Sequence, residues 1–368
     1  MLVALSAMVF VPPWSMGMLP IAVAATEYSP VLALLDLAWL AVARVALRGR
    51  PAAQWTCTAA LLIAAALASV PVTRFHAAAV RASAQLGHRD QTVRYSLFDS
   101  FRGPLVKGRV EERVIPYRAA DGSALTMRLF RGEARGARPT VVVIYGGAWR
   151  SGTALQGANV SRSLTSRGYT VAAIDYRHAP GARFPAQLAD VRASLALLRD
   201  SAASWSIDTT RIALLGRSAG GHLAELAAFA PGGPAVQAVV AIYAPFDLAE
   251  GYRDLPSPDP LDVRAALRGL LDATPDAEPA RYRAASPASF IRAGLPPTLL
   301  LYGASDHVVK PDFNRQAAAA LRAARVPVVQ VELPWAEHGF DMAPGGIGAQ
   351  LAYGVIGDFL DRRIGDRP

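Results

Sequence analysis

Lysine is nearly missing from this sequence: Lys107 and Lys310 stand alone among 38 basic residues, the rest of which are arginine. Cysteine is rarer still. A single Cys57 excludes both an intramolecular disulfide and a multi-cysteine metal site. Charge of either sign is sparse, at 18% of residues, while 52% are hydrophobic and the mean hydropathy is +0.24. Such a chain is too apolar to be disordered and too apolar for one ordinary soluble domain of 368 residues. The arginines are scattered without interleaved aromatics, which argues against a nucleic-acid partner.

The deficit of charge is local. Residues 1–85 hold five arginines and two acids, so almost all the charge lies beyond them. Residues 55–72 form an uncharged run of 18, about 27 Å as a helix and close to the ~30 Å hydrocarbon core of a bilayer. Residues 1–25 are also uncharged, but Pro12 and Pro13 would break or kink a helix there, so this stretch either spans kinked or dips in and out. Residues 31–47 are apolar apart from Asp36 and Arg44, each of which needs a neighbour or a snorkelling position in lipid. Two or three transmembrane helices are therefore expected in residues 1–73, with a membrane-proximal linker over 74–108. Arg44, Arg48 and Arg50 cluster before the uncharged run and place that loop in the cytoplasm, which puts the remainder of the chain outside; Arg74 and Arg81 pull the other way. No basic n-region precedes the first apolar stretch, so a signal peptide is not the expected reading.

From residue 109 the pattern changes to short β-rich runs alternating with helix-length stretches. Runs at 110–117 and 125–130 read as an antiparallel start, and those at 140–145, 170–176, 212–215, 236–243, 298–302 and 326–333 as buried strands. Helical spacing falls at 187–199, 221–229 and 313–324. The expectation is one α/β domain over 109–368 with a mostly parallel sheet. Residues 245–296, rich in proline and aspartate, interrupt the alternation and read as an insertion, with Tyr252, Leu255, Leu261, Leu267 and Leu270 as candidates to line a site beneath it.

Four motifs stand at strand ends. Gly216-Arg217-Ser218-Ala219-Gly220 follows one strand and opens a helix, a turn that lifts a serine hydroxyl above a sheet. Tyr145-Gly146-Gly147-Ala148-Trp149 follows another; small residues there expose backbone N–H groups of the kind that hold an oxyanion. Asp306 lies in Gly303-Ala304-Ser305-Asp306-His307-Val308-Val309, placed to orient an imidazole. His338, in Glu337-His338-Gly339-Phe340, is placed to act as general base and acid. Singly each motif reads as an ordinary turn. The order serine, acid, histidine at successive strand ends is that of a nucleophilic triad.

With these motifs, and with Asp175-Tyr-Arg-His-Ala-Pro180 and Phe184-Pro-Ala-Gln-Leu-Ala-Asp190, the region from about 110 to 365 resembles the esterase/lipase branch of the α/β-hydrolase superfamily, the hormone-sensitive-lipase-like and feruloyl-esterase-like carboxylesterases. The resemblance implies an α/β-hydrolase fold preceded by transmembrane helices. It also implies Ser218 as nucleophile, His338 as base, Asp306 as its orienting acid, and the amides of Gly147, Ala148 and Ala219 as the oxyanion hole. Neither a metal nor an organic cofactor is implied. The expected activity is hydrolysis of small-molecule or lipid carboxylic esters at a membrane, with acyl transfer or amide and aminoacyl-peptide cleavage by the same triad as the alternative. Two residues depart from the family pattern. Tyr145 stands where histidine is usual, so a phenol must brace that loop. Arg217, beside the serine, is expected to pair with an acid, or else to read an anionic substrate. Among the other candidates, His222 is placed along the helix after Ser218, His178 and His307 in loops, and Asp247 and Asp312 outside any comparable loop.

Overall fold

The computed structural model of the protein describes residues 2–103, 106–133 and 136–365, so residue 1 of the expected membrane segment, 104–105 of the expected linker, and 134–135 and 366–368 of the expected catalytic domain lie outside the described residues. All eight expected strands form: β1 (Val110–Arg118), β2 (Ala124–Gly132), β3 (Arg138–Ile144), β4 (Thr170–Ile174), β5 (Ile207–Arg217), β6 (Ala238–Ile242), β7 (Thr298–Gly303) and β8 (Val328–Leu333). They make one sheet in the order β1-β2-β4-β3-β5-β6-β7-β8. Both contacts of β2, with β1 and with β4, are antiparallel, and every later pairing is parallel. This is an α/β-hydrolase sheet, and its central strands are continuous apolar runs because helices cover both faces.

The alternation of β3 shows how the two faces are filled. Val142 and Ile144 point into a cluster with Leu195 of α7 (Ala186–Asp200), Leu223 of α9 (Ala219–Phe229) and Leu321 of α13 (Pro311–Ala323). Val141 and Val143 point the other way, toward Val160 of α6 (Ala158–Ser166) and Leu351 and Val355 of α14 (Ile347–Arg363). Between β6 and β7 the insertion folds as α10 (Leu248–Arg253), α11 (Val263–Leu271) and α12 (Pro279–Ala285).

Residues 2–85 are mostly helical and are fastened to this domain. Instead of one stretch, residues 2–25 make two short helices, α1 (Leu2–Ala7) and α2 (Leu19–Glu27), because the prolines at 12 and 13 deny the chain its backbone donors. Helices α3 (Ser29–Ala46) and α4 (Pro51–Gln85) then pack as a hairpin, and both are long and apolar enough to cross a membrane. The boundary expected after residue 73 falls inside α4, which continues for more than three further turns. That extension is not a loose connector. Phe75, Ala78, Ala79 and Ala82 are buried in the same cluster as Val329 and Val331 of β8 and Leu351 of α14, so α4 completes the covering of the sheet. Asp36 is fully buried in α3 and accepts a 2.7 Å hydrogen bond from Ser6 Oγ of α1; Arg44 is exposed and is not its partner.

The last residue of α2 makes a second fastening. The Glu27 carboxylate accepts hydrogen bonds from the N–H groups of Gly348 (2.7 Å) and Ala349 (3.1 Å), capping the N-terminus of α14 from a residue more than 300 positions away. Glycine at 348 leaves the room, since a Cβ there would come within 2.5 Å of Glu27 Oε1. Replacing Glu27 by alanine strands two buried donors at a cost of about 1–3 kcal/mol. Thermal unfolding of the Glu27→Ala protein in detergent is expected to show a melting temperature lowered by several degrees; an unchanged value contradicts the cap.

Candidate active site

At residues 216–220 the chain turns from β5 into α9 with no room to spare. A Cβ on Gly216 would lie 2.1 Å from Gly220 O, and one on Gly220 would lie 2.2 Å from Ile144 O. Ser218 occupies the apex with φ 50° and ψ −122°, a left-handed backbone that only such surroundings impose on a serine. Its hydroxyl therefore stands off the C-terminal edge of the sheet and at the N-terminus of α9, where the Ala219 N–H has no acceptor within the helix.

His338 reaches this hydroxyl from the loop after β8. Its Nε2 lies 3.0 Å from Ser218 Oγ, and its Nδ1 lies 2.8 Å from Asp306 Oδ2, in the loop after β7. Asp306 is itself fixed, because its other oxygen accepts from the N–H groups of Val308 and Val309 at 2.8 Å each. Burial alone would depress the His338 pKa, but the Asp306 charge and hydrogen bond, reinforced by the charges of Glu337 and Asp341, outweigh it and raise the imidazole above its ordinary value. Gly147 and Ala148 follow β3 beside the serine with φ 136° and 51°, and a Cβ at 147 would come within 2.0 Å of Ser151 O. The structure thus brings all six expected residues to one place: a cleft of about 240 Å³ that includes Gly147, Ala148, Ser218 and His338, and a narrower apolar slot lined by Ala148, Ser218 and Ala219.

The two departures from the family pattern each have a partner. The Tyr145 ring stacks on Tyr176 with centroids 4.4 Å apart, its hydroxyl lies 2.8 Å from His178 Nε2, and Tyr176 donates back to Tyr145 O at 3.2 Å. The phenol thus braces the glycine loop. Arg217 is buried and its Nε donates to Asp341, three residues beyond His338; the Tyr243 hydroxyl donates to the other oxygen of that carboxylate. Tyr353 of α14 donates to the Asp341 carbonyl at 2.6 Å.

The competing candidates are occupied elsewhere. His222 is buried, accepts from Trp149 Nε1 at 3.1 Å and donates to Ala285 O at 2.7 Å; burial lowers its pKa to about 4, so it stays neutral. His307 is bound by Glu337 at 2.5 Å, Asp247 caps α10, and Asp312 pairs with Arg315. Of the residues proposed to line a site under the insertion, Leu261 and Leu267 face the apolar slot, Leu270 joins the main core, and Tyr252 packs on Tyr282. Asp341 and Glu337 escaped sequence reasoning. Glu337 accepts from the backbone N–H groups of both His307 (2.7 Å) and His338 (2.8 Å), and only its position beside His338 hinted at a role.

Comparison with known proteins gives the family. The family described as BD-FAE matches residues 129–321. Esterase LipC of Mycobacterium tuberculosis is 32% identical over 69% of this chain and 67% of its own length, and esterase LipQ of the same organism is 31% identical over 62% and 57%. The chain thus spans little more than half to two thirds of these curated relatives. Among solved structures, the propionate-bound thermophilic esterase Est2 of Thermogutta terrifontis aligns with a TM-score of 0.53 at 26% identity, covering 62% of this chain and 85% of that one.

The Arg217–Asp341 pair gives a test of the architecture. Breaking a buried pair from one side leaves an uncompensated charge, so Arg217→Met alone is expected to destabilise by about 3–5 kcal/mol, whereas Arg217→Met with Asp341→Leu recovers much of that loss. Denaturant unfolding of the two variants separates these outcomes; equal losses contradict the reading.

Proposed function

Because the chain belongs to the BD-FAE family of α/β-hydrolase esterases, we propose that it is a membrane-anchored serine carboxylesterase. The observation that carries the proposal is the unbroken hydrogen-bonded line from Ser218 Oγ through His338 to Asp306. Ser218 Oγ attacks the ester carbonyl carbon while His338 Nε2 takes its proton. The C–O bond to the alcohol breaks, and His338 returns the proton to the departing oxygen, leaving an acyl-serine. Water, deprotonated by the same nitrogen, attacks the acyl carbon and releases the acid and the free serine. Asp306 holds the imidazole in the tautomer that presents a lone pair to the hydroxyl and stabilises the imidazolium in between. The amides of Gly147, Ala148 and Ala219 receive the negative charge of the tetrahedral intermediates, each such donor contributing about 3 kcal/mol to the barrier reduction.

Anchoring rests on α3 and α4, which are long and apolar enough to span. Their outward faces carry exposed Leu34, Leu37, Trp39, Val42, Ile63 and Trp55. Arg44, Arg48 and Arg50 sit at the hairpin turn, so the positive-inside rule puts that turn in the cytoplasm and the hydrolase domain on the opposite side. Ester rather than amide chemistry is favoured because the matched relatives bear esterase names.

Two outcomes test the mechanism. Ser218→Ala is expected to lower kcat/KM on a p-nitrophenyl ester by about 10⁴-fold or more, and wild-type rates in that variant contradict it. The base works only when neutral, and the nearby carboxylates outweigh burial and raise its pKa, so the rate falls as pH drops through a value raised from that of an ordinary histidine. Glu337→Gln removes one of those charges, destabilises the imidazolium and lowers that pKa. The acid limb of the kcat/KM profile is expected to move to lower pH; no shift, or a shift upward, contradicts the assignment.

A further inference from the structure

The cleft above Ser218 is not closed by the hydrolase domain alone: Met16, from the stretch between α1 and α2, is part of its wall together with Leu261 and Met342. The apolar slot beside it depends on the same segment, for Val308, Val309 and Phe313, which line it, pack on Leu19 and Val23 of α2. The segment that completes the site lies at one level of the helical hairpin. Residues 8–12 share a cavity with Val70 and Arg74 of α4. At this level α4 changes character: before it the helix exposes Trp55, Leu62, Ile63 and Val72, and after it the exposed face carries Arg74, His76 and Arg81 beside Val80, while Phe75, Ala78, Ala79 and Ala82 are buried against the domain. Trp14 and Phe10 are exposed at 65% and 51% on this segment. Exposed apolar residues on α4 as far as Val72, a charged stretch beginning at Arg74, and an exposed Phe10 and Trp14 on the segment beside it make the profile of a lipid boundary, with the tryptophan at its interface.

We propose that the Ser218 cleft opens at the bilayer surface between Met16 and Met342, and that the substrate is a membrane-resident ester with one small and one long hydrocarbon substituent. This rests on the esterase reading above. The slot is much the smaller of the two spaces, about 40 Å³ against about 240 Å³ for the cleft, so it takes the small substituent. The wider cleft leads the long substituent past Met16 and out into lipid while the carbonyl reaches Ser218; Trp14 and Phe10 line neither space and serve only to hold the mouth at the bilayer surface. Such a substrate never has to leave the membrane to be hydrolysed, which gives the fastening of residues 8–27 to the catalytic domain a role beyond tethering.

The test uses the full chain reconstituted in phosphatidylcholine vesicles and compares release of acetate from hexadecyl acetate in the bilayer with hydrolysis of water-soluble p-nitrophenyl acetate. Phe10→Asp with Trp14→Asp is expected to leave the soluble rate within about twofold and to lower the vesicle rate about tenfold or more, because charged side chains withdraw the mouth from lipid. Phe10→Leu with Trp14→Phe keeps an apolar rim and is expected to retain both rates. No loss on the vesicle ester in the aspartate variant, equal losses on both substrates, or a vesicle loss in the apolar variant overturns the proposal. If the wild-type chain turns over the soluble ester and ignores hexadecyl acetate, this inference alone falls. If it turns over neither, the esterase reading falls with it.

Discussion

Ser218 and His338 arrive from opposite sides of β6, after β5 and after β8, and two such loops would not by themselves hold a hydroxyl and a ring nitrogen 3.0 Å apart. The residue before the serine and the residue three beyond the histidine do this. Arg217 and Asp341 meet in a buried ion pair, Tyr243 donates to the same carboxylate, and Tyr353 ties the Asp341 backbone to α14. Each charge is costly to bury alone, so any drift of the histidine loop away from the nucleophile turn exposes a large penalty. The pair converts desolvation into positional restraint. The Tyr243 ring, 4.4 Å from the His338 ring, fills the space between them.

The same restraint extends into the N-terminal helices. Glu27 caps α14, α14 holds Asp341 through Tyr353, and Asp341 holds Arg217, giving a continuous line of contacts from α2 to the nucleophile turn. Helix α4 adds a hydrophobic fastening along β8. The arrangement makes the apolar first quarter of the chain part of the same packed body as the hydrolase domain rather than a leash. Asp36, the acid that looks most out of place in an apolar helix, is accounted for more modestly, by the serine of α1 that donates to it.

The sheet was legible in the sequence because buried parallel strands are short, unbroken apolar runs bounded by Gly, Pro and Asp; six could be read that way, and the two antiparallel strands before them as short β-rich runs. The three residues proposed as a triad were legible because each stands in a local motif at a strand end. Pairings that depend on distant contact were not. Nothing local marks Asp341 as the partner of Arg217 or Glu27 as the cap of α14. Helix α14 escaped notice because it lacks an amphipathic stripe: it is buried on most sides, and its glycines at 354 and 357 are seats for Val93 and Arg167 rather than turn signals. The arginines and histidine at 74–81 likewise suggested an end to α4, whereas the alanines between them form the face that packs on β8.

Everything in this account turns on Ser218 being the nucleophile that His338 activates. The most direct measurement is mass spectrometry of the full chain after treatment with a fluorophosphonate, with the adduct mapped by proteolysis. One covalent adduct per chain, on Ser218, and none in a His338→Ala protein at the same exposure, is the predicted result. An adduct on another residue, or undiminished labelling without the histidine, contradicts it.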